Sequence, residues 1–171
     1  MQVLIEEYKI DRRIRALAHK ITEDHRNSGN NAPPVMICVL NGAFMFFTDL
    51  VKDMGIDCEI DFIQAKSYVG EYQTEIKLTK DLTTNIQGKD VYLIDDILDS
   101  GKTLKFLIHH LEHKHKPSSI TPVVLLKRYS NVWPIIHGIE IKDDTFVFGY
   151  GLDGEGGLGR NRVGIFGKSE D

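Results

Sequence analysis

Residues 91–104 constrain the fold more than any other stretch of this chain. Val91, Tyr92, Leu93 and Ile94 run directly into two adjacent carboxylates, Asp95 and Asp96. After Ile97 and Leu98 come Asp99, Ser100, Gly101, Lys102 and Thr103, and then Leu104, Leu107, Ile108 and Leu111 recur at helical spacing. An unbroken apolar run followed by that periodicity reads as a buried parallel strand, a short turn and the opening of an amphipathic helix. A chain built around such a unit is an α/β protein, with a mostly parallel twisted sheet flanked by helices.

The same order of residues carries chemistry. In open α/β sheets ligands sit beyond the carboxyl ends of the strands, where Asp95 and Asp96 fall. Backbone N–H groups from Ser100 to Thr103 open the helix without intrahelical partners, and the positive end of the helix dipole lies behind them. That turn suits a phosphate. Gly101 allows close backbone approach, and the hydroxyls of Ser100 and Thr103 add donors. The neighbouring carboxylates accept hydrogen bonds from neutral hydroxyls, so a ligand with a phosphate at one end and a vicinal diol in the middle fits. Ribose 5-phosphate is such a ligand. A nucleotide-binding P-loop is excluded, because the first glycine of that motif would fall at Asp96. The plain alternative is a structural strand with solvated acids at its tip.

Other segments repeat the pattern. Ile10, Ile14, Leu17, Ala18 and Ile21 predict an amphipathic helix over about residues 11–25. Residues 35–40 form a first buried strand ending in Asn41, Gly42 and Ala43, and Phe44, Phe47, Val51 and Met54 mark a helix. This second strand–turn–helix opening is a second candidate anion cradle. Residues 58–66 alternate as a strand, and the stretch from Lys66, Ser67 and Tyr68 to Leu78 reads as a hairpin arm or a lid. Residues 120–126 are another buried strand, ending in Lys127 and Arg128. An ammonium group there would donate to a ring carbonyl oxygen but face an exocyclic amine without an acceptor, a difference of several kcal/mol. A short strand pattern lies between Trp133 and Glu140. Residues 145–153 alternate aromatics and suit a strand, and a flat ring there could stack on a flat base. The helix after Gly101 carries His109, His110, His113 and His115. His109 and His113 stand at i, i+4, but with only Glu112 nearby a solvated face is the better reading than a metal site.

The totals fit one domain over residues 1–171. The net charge of -4 argues against a nucleic-acid or membrane-surface binder. Cys38 and Cys58 lie in apolar runs and read as free thiols. No apolar run is long enough to span a bilayer and the N-terminus is soon acidic, so the expected location is the cytoplasm.

The stretch 91–104 resembles the phosphoribosyl-diphosphate (PRPP) signature of type I phosphoribosyltransferases: an apolar strand, two acids, two apolar residues, Asp, Ser, Gly and a later Thr. The other segments bring the likeness close to the hypoxanthine-guanine branch, from about Val35 to Arg162. The resemblance implies a fold with a small hood, made by the N-terminal helix and the segments after about residue 133. It implies transfer of the 5-phosphoribosyl group from PRPP to N9 of a 6-oxopurine, giving a nucleotide and pyrophosphate in purine salvage. By the same resemblance, Asp95, Asp96, Asp99, Ser100, Gly101, Lys102 and Thr103 bind PRPP, and Asp99 is the general base. Asn41, Gly42 and Arg160 would bind pyrophosphate, with a cis Leu40–Asn41 peptide in that loop; the family usually carries a basic residue where this chain has Asn41. Lys127 would meet the purine O6, Phe146 would stack on the ring, the Val147 backbone would pair with its edge and Asp153 would lie beside it. Ser67 and Tyr68 would start a mobile lid. The cofactor would be Mg2+, held near Asp95, Asp96 and Asp153, and the assembly a homodimer or homotetramer. A PRPP-binding regulator of RNA or DNA on the same fold, and an enzyme of the same fold for another base, are the alternatives. The acidic balance speaks against the first, and Lys127 with Phe146 and Val147 against the second.

Overall fold

The computed structural model describes residues 2–69 and 74–168. Its centre is a six-stranded sheet of β2 (Val35–Val39), β3 (Glu59–Val69), β4 (Thr74–Lys80), β5 (Asp90–Leu98), β6 (Ser119–Arg128) and β7 (Ile136–Ile141), in the order β4-β3-β2-β5-β6-β7. All neighbours are parallel except the hairpin β3–β4. A smaller antiparallel sheet joins β1 (Gln2–Ile5), β9 (Ile165–Lys168) and β8 (Phe146–Phe148), in the order β1-β9-β8.

Both faces of the large sheet are covered, so its central strands are apolar throughout rather than alternating. On β2 all five residues are buried, and their period of two divides them between two cores. Met36 and Cys38 face α1 (Glu7–Ser28) and α2 (Phe44–Lys52), packing with Ile10, Ile14, Leu17, Ile21, Phe46 and Leu50. Val35, Ile37 and Val39 face α3 (Lys102–His115), packing with Leu104, Leu107 and Leu111. α1 stops where Gly29 takes the left-handed φ of 76°. Among the described residues no helix is long and apolar enough to cross a membrane.

The N-terminal segment gives strand β1 to the small sheet, and the apolar stripe of α1 shares one core with residues of both sheets, among them Met36, Cys38, Val147 and Ile165. One difference from the sequence expectation stands out. Residues 145–153 do not form one strand: β8 ends at Phe148, and Gly149, Tyr150 and Gly151 all have positive φ and reverse the chain. Of the expected lid, β3 and β4 form an antiparallel hairpin, while its tip at 70–73 lies outside the described residues.

Two buried acids fasten the frame away from the strand tips. Asp90 accepts from Ser28 Oγ at 2.7 Å and Ser119 Oγ at 2.8 Å and lies 3.1 Å from His25 Nδ1, tying the end of α1 to β5 and β6. Asp61 accepts from the backbone N–H groups of Phe62, Thr83 and Thr84 at 2.7–2.8 Å. Burial pushes both carboxyls up, but the hydrogen bonds outweigh it and hold them below the ordinary range. Their stabilisation is therefore full above the unfolded value of about 3.9 and is lost as pH falls through the folded values. Stepwise urea denaturation below pH 5 should show that loss, and the decline should be shallower in Asp61→Asn. Leu93 is fully buried against α3; Leu93→Ala should lower the unfolding free energy by about 2–5 kcal/mol in the same measurement.

Candidate active site

Parallel pairing lines up three strand ends. Cys38 of β2 is level with Ile94 of β5, and Leu98 of β5 is level with Lys127 of β6. The segments at these ends, Asn41–Gly42 after β2, Asp95–Thr103 across the end of β5 and Lys127–Arg128 closing β6, therefore lie at the same edge of the sheet. A cleft of about 250 Å³ opens there, lined by Val39, Leu40, Gly42, Ala65 and every residue from Asp95 to Leu104. A larger hollow of about 550 Å³ between α1 and β7, with Tyr8, Arg12, Tyr129 and Ile139 on its walls, holds no acid pair.

The turn after β5 has the local structure its sequence predicts. Gly101 takes φ 77° and caps α3, the Lys102 N–H points to Ser100 Oγ at 3.4 Å, and α3 begins at Lys102. A side chain at 101 would be strained by that φ and would press on Leu98 and Trp133.

The Asp95–Asp96 pair is the electrostatic centre. Their backbones belong to β5 and their carboxylates are crowded by protein on the sheet side while lining the cleft on the other. Burial raises Asp95 well above the ordinary carboxyl range, and the charge of Asp96 raises it further. Asp96 is also raised by burial, against the backbone N–H of Ile97 at 2.7 Å and the positive charge of Arg160. The same two acids, after burial itself, help push the Cys38 thiol up to about 12, so that cysteine is an inert part of the core. Two adjacent carboxyls whose charged forms burial disfavours, and which offer only oxygen ligands, fit a hard divalent cation such as Mg2+, whose charge would favour their ionised forms.

The Leu40–Asn41 peptide is cis. Gly42 lies so close to the acids that a Cβ at 42 would stand 1.8 Å from Asp96 Oδ2. Asn41 is exposed, and its Oδ1 accepts from Gln64 Nε2 at 3.1 Å. The Ala43 N–H turns back to Val39 O at 3.4 Å, while Gly42 lines the cleft.

The hood reaches the same edge. The reversal at 149–152 rests on the Gly42 loop, since a Cβ on Gly151 would lie 2.2 Å from Gly42 O. Tyr150 Oη donates to Asp49 Oδ2 of α2 at 2.5 Å. Arg160 donates to Gly151 O at 2.6 Å and pairs with Asp153 at 3.1 Å, so these two expected ligands of pyrophosphate and metal hold each other here. Phe146 is 48% exposed and, with Phe148, Gly154 and Arg162, lines a separate hollow of about 140 Å³. β8 is an edge strand, so one side of the Val147 backbone is unpaired by the sheet. Lys127 lies 3.3 Å from Glu140 Oε1. Ser67 and Tyr68 are exposed on β3, beyond Ala65 of the cleft.

Arg128 had no assigned role in the sequence, and the structure gives it one. Its Nη1 donates to Lys142 O at 2.8 Å and Thr145 O at 2.7 Å, just before Phe146. Its Nε is buried without a hydrogen bond, 3.7 Å from Asp99 Oδ1. Asn131 Nδ2 donates to Asp99 O at 2.7 Å. The position of Arg128 beside Lys127 at a strand end was the available signal, but its partners are up to 29 residues away.

Comparison with known proteins bears on the same segments. Residues 5–155 match the phosphoribosyl transferase domain family. The hypoxanthine phosphoribosyltransferase of Escherichia coli (strain K12) is 37% identical over 159 residues, 90% of this chain and 87% of that protein. The hypoxanthine-guanine-xanthine phosphoribosyltransferase of Tritrichomonas foetus is 37% identical over 158 residues, 89% of this chain and 83% of that protein. A crystal structure of a hypoxanthine-guanine phosphoribosyltransferase from Bacillus anthracis superimposes with a TM-score of 0.86 at 34% identity, covering 99% of both chains.

Because both carboxyls are raised, their charged forms are disfavoured in the fold above the unfolded pKa, and the cost recedes as pH falls through the folded values. Asp95→Asn in metal-free buffer at pH 7 should raise the unfolding free energy by roughly 1–2 kcal/mol. Thermal or urea unfolding checks it; a less stable variant would contradict the electrostatic picture.

Proposed function

The chain belongs to the phosphoribosyl transferase family, and from that premise we propose that it transfers the 5-phosphoribosyl group of PRPP to N9 of a 6-oxopurine, releasing pyrophosphate. The observation that carries this reading is the meeting, in one cleft, of an amide-lined turn for a phosphate and a row of acids for a sugar.

The turn Ser100–Thr103 holds the 5-phosphate through backbone N–H groups and hydroxyls, with Gly101 and Lys102 in its floor. Asp95 and Asp96 accept from the ribose hydroxyls and, with Asp153, are the residues that would hold Mg2+ at the diphosphate. Bound Mg2+ would neutralise charge on the leaving group. Gly42, with Asn41 beside it, receives the pyrophosphate, and Arg160 swings from Asp153 to clamp it bidentately. Lys127 leaves Glu140 and donates to O6, Phe146 stacks on the base, and the open side of the Val147 strand reads its edge. As the bond from C1 to the diphosphate breaks, N9 bonds to C1 and the proton on N7 passes to Asp99. Arg128 and Asn131 hold Asp99 in place. The paired carboxylates sit where positive charge grows on the sugar, and fixed charges of opposite sign lower that barrier. Ser67 and Tyr68 belong to the hairpin that closes over the sugar and excludes water.

The resemblance supports hypoxanthine and guanine as bases, a homodimer or homotetramer as the assembly, the cytoplasm as the location and one domain over residues 1–171. Nucleotide formation from PRPP, assayed with hypoxanthine, guanine, xanthine and adenine with and without Mg2+, tests the reading. 6-Oxopurines should react and adenine should not. Asp99→Ala should lower kcat by about 10²–10⁴-fold while PRPP binding persists. Lys127→Ala should lower kcat/KM for hypoxanthine by about tenfold or more. Unchanged kinetics in either variant would remove that residue from its role.

A further inference from the structure

A cluster outside the cleft has the geometry of a second metal site. His110 Nε2 and His115 Nε2 each lie 3.1 Å from the same oxygen, Asp81 Oδ1, and the three ligand atoms fall within 4.8 Å of one another. The rings stand edge to face, 5.7 Å apart at 64°. A zinc ion bonded to tetrahedral ligands at about 2.0–2.1 Å sets them about 3.3 Å apart, close to the 3.1 Å from Asp81 Oδ1 to each imidazole nitrogen.

The hydrogen bonding at Asp81 points the same way. Oδ1 already accepts the Leu82 N–H at 2.8 Å, so two further imidazole donors make three claims on one carboxylate oxygen. A carboxylate oxygen has two lone-pair sites. Among protons alone the group is oversubscribed, whereas a cation takes a lone pair from each of the three side chains. Lys114 Nζ binds the other oxygen, Oδ2, and leaves Oδ1 to the imidazoles. All three side chains are partly exposed, at 18–22%, so water can complete the shell.

We propose that Asp81, His110 and His115 bind one borderline-soft divalent cation of the zinc type, distinct from the all-oxygen site at Asp95 and Asp96. Imidazole selects such metals over Mg2+. His110 and His115 are five residues apart in the last turns of α3, which ends where Lys116 takes the left-handed φ of 51°. Asp81 directly follows β4, so the bound ion joins the base of the β3–β4 hairpin to the C-terminal end of the helix whose other end, about 20 Å away, opens the phosphate turn.

Untagged, metal-stripped protein in excess Mg2+ should be titrated with ZnCl2 by calorimetry and with CoCl2 by visible absorption. One equivalent should bind, with the intense d–d bands of four-coordinate Co2+. His110→Ala and His115→Ala should each weaken Zn2+ binding by more than about 100-fold, beyond the ~10–100-fold lost with a mere outer partner. His109→Ala, which changes the exposed pair stacked with His113, should bind as the unaltered chain does. No binding by the unaltered chain overturns the proposal, and so do wild-type affinity in both of the first two variants and loss of binding in His109→Ala. The unaltered chain decides the question even where a variant folds poorly.

Discussion

Parallel register is the constraint on which this molecule depends. Five strands run the same way through the large sheet, and pairing β2 with β5 and β5 with β6 delivers their carboxyl ends to one edge. No single strand makes a site. The glycine loop after β2, the acids of β5 and the cations that end β6 become neighbours only because hydrogen-bonded ladders leave them no freedom to slip. A shift of one residue would turn each apolar strand's side chains to the wrong core.

The acids divide by what surrounds them. Asp61 and Asp90 are buried among donors that satisfy them, so they fasten the frame. Asp95 and Asp96 are crowded against one another with too few donors, and the fold is less stable for it. That instability is useful only if something cationic or hydroxylated arrives. Strained electrostatics at one edge is tolerated because the cores on both faces of the sheet are closely filled.

What the sequence showed plainly was local. The unit from Val91 to Leu111 could be read because strand, turn and helix are contiguous and each has its own period. The α1 stripe was legible for the same reason. The small sheet was not: β1 and β9 are four residues each and their partners lie at opposite ends of the chain, so no periodicity announces them. The aromatic run after Thr145 looked like one strand because alternation continues through Tyr150, although three successive positive φ angles break it. Arg128, Gln64 and Asp81 act through partners far away in sequence. Their identities were visible, but the contacts that give them meaning were not.

The pairing of β1 with β9 also has a temporal side. Among the described strands β1 is made before the rest, yet its ladder partner is more than 150 residues behind it, with Gln2 opposite Gly167. The large sheet can assemble from strands already made, whereas β1 stays unpaired until translation has passed β9. The small sheet is therefore the last part of a newborn molecule to take shape. A nascent chain stalled before that strand would hold the acid-and-turn edge of β5 without the sheet that carries Phe146 and Val147.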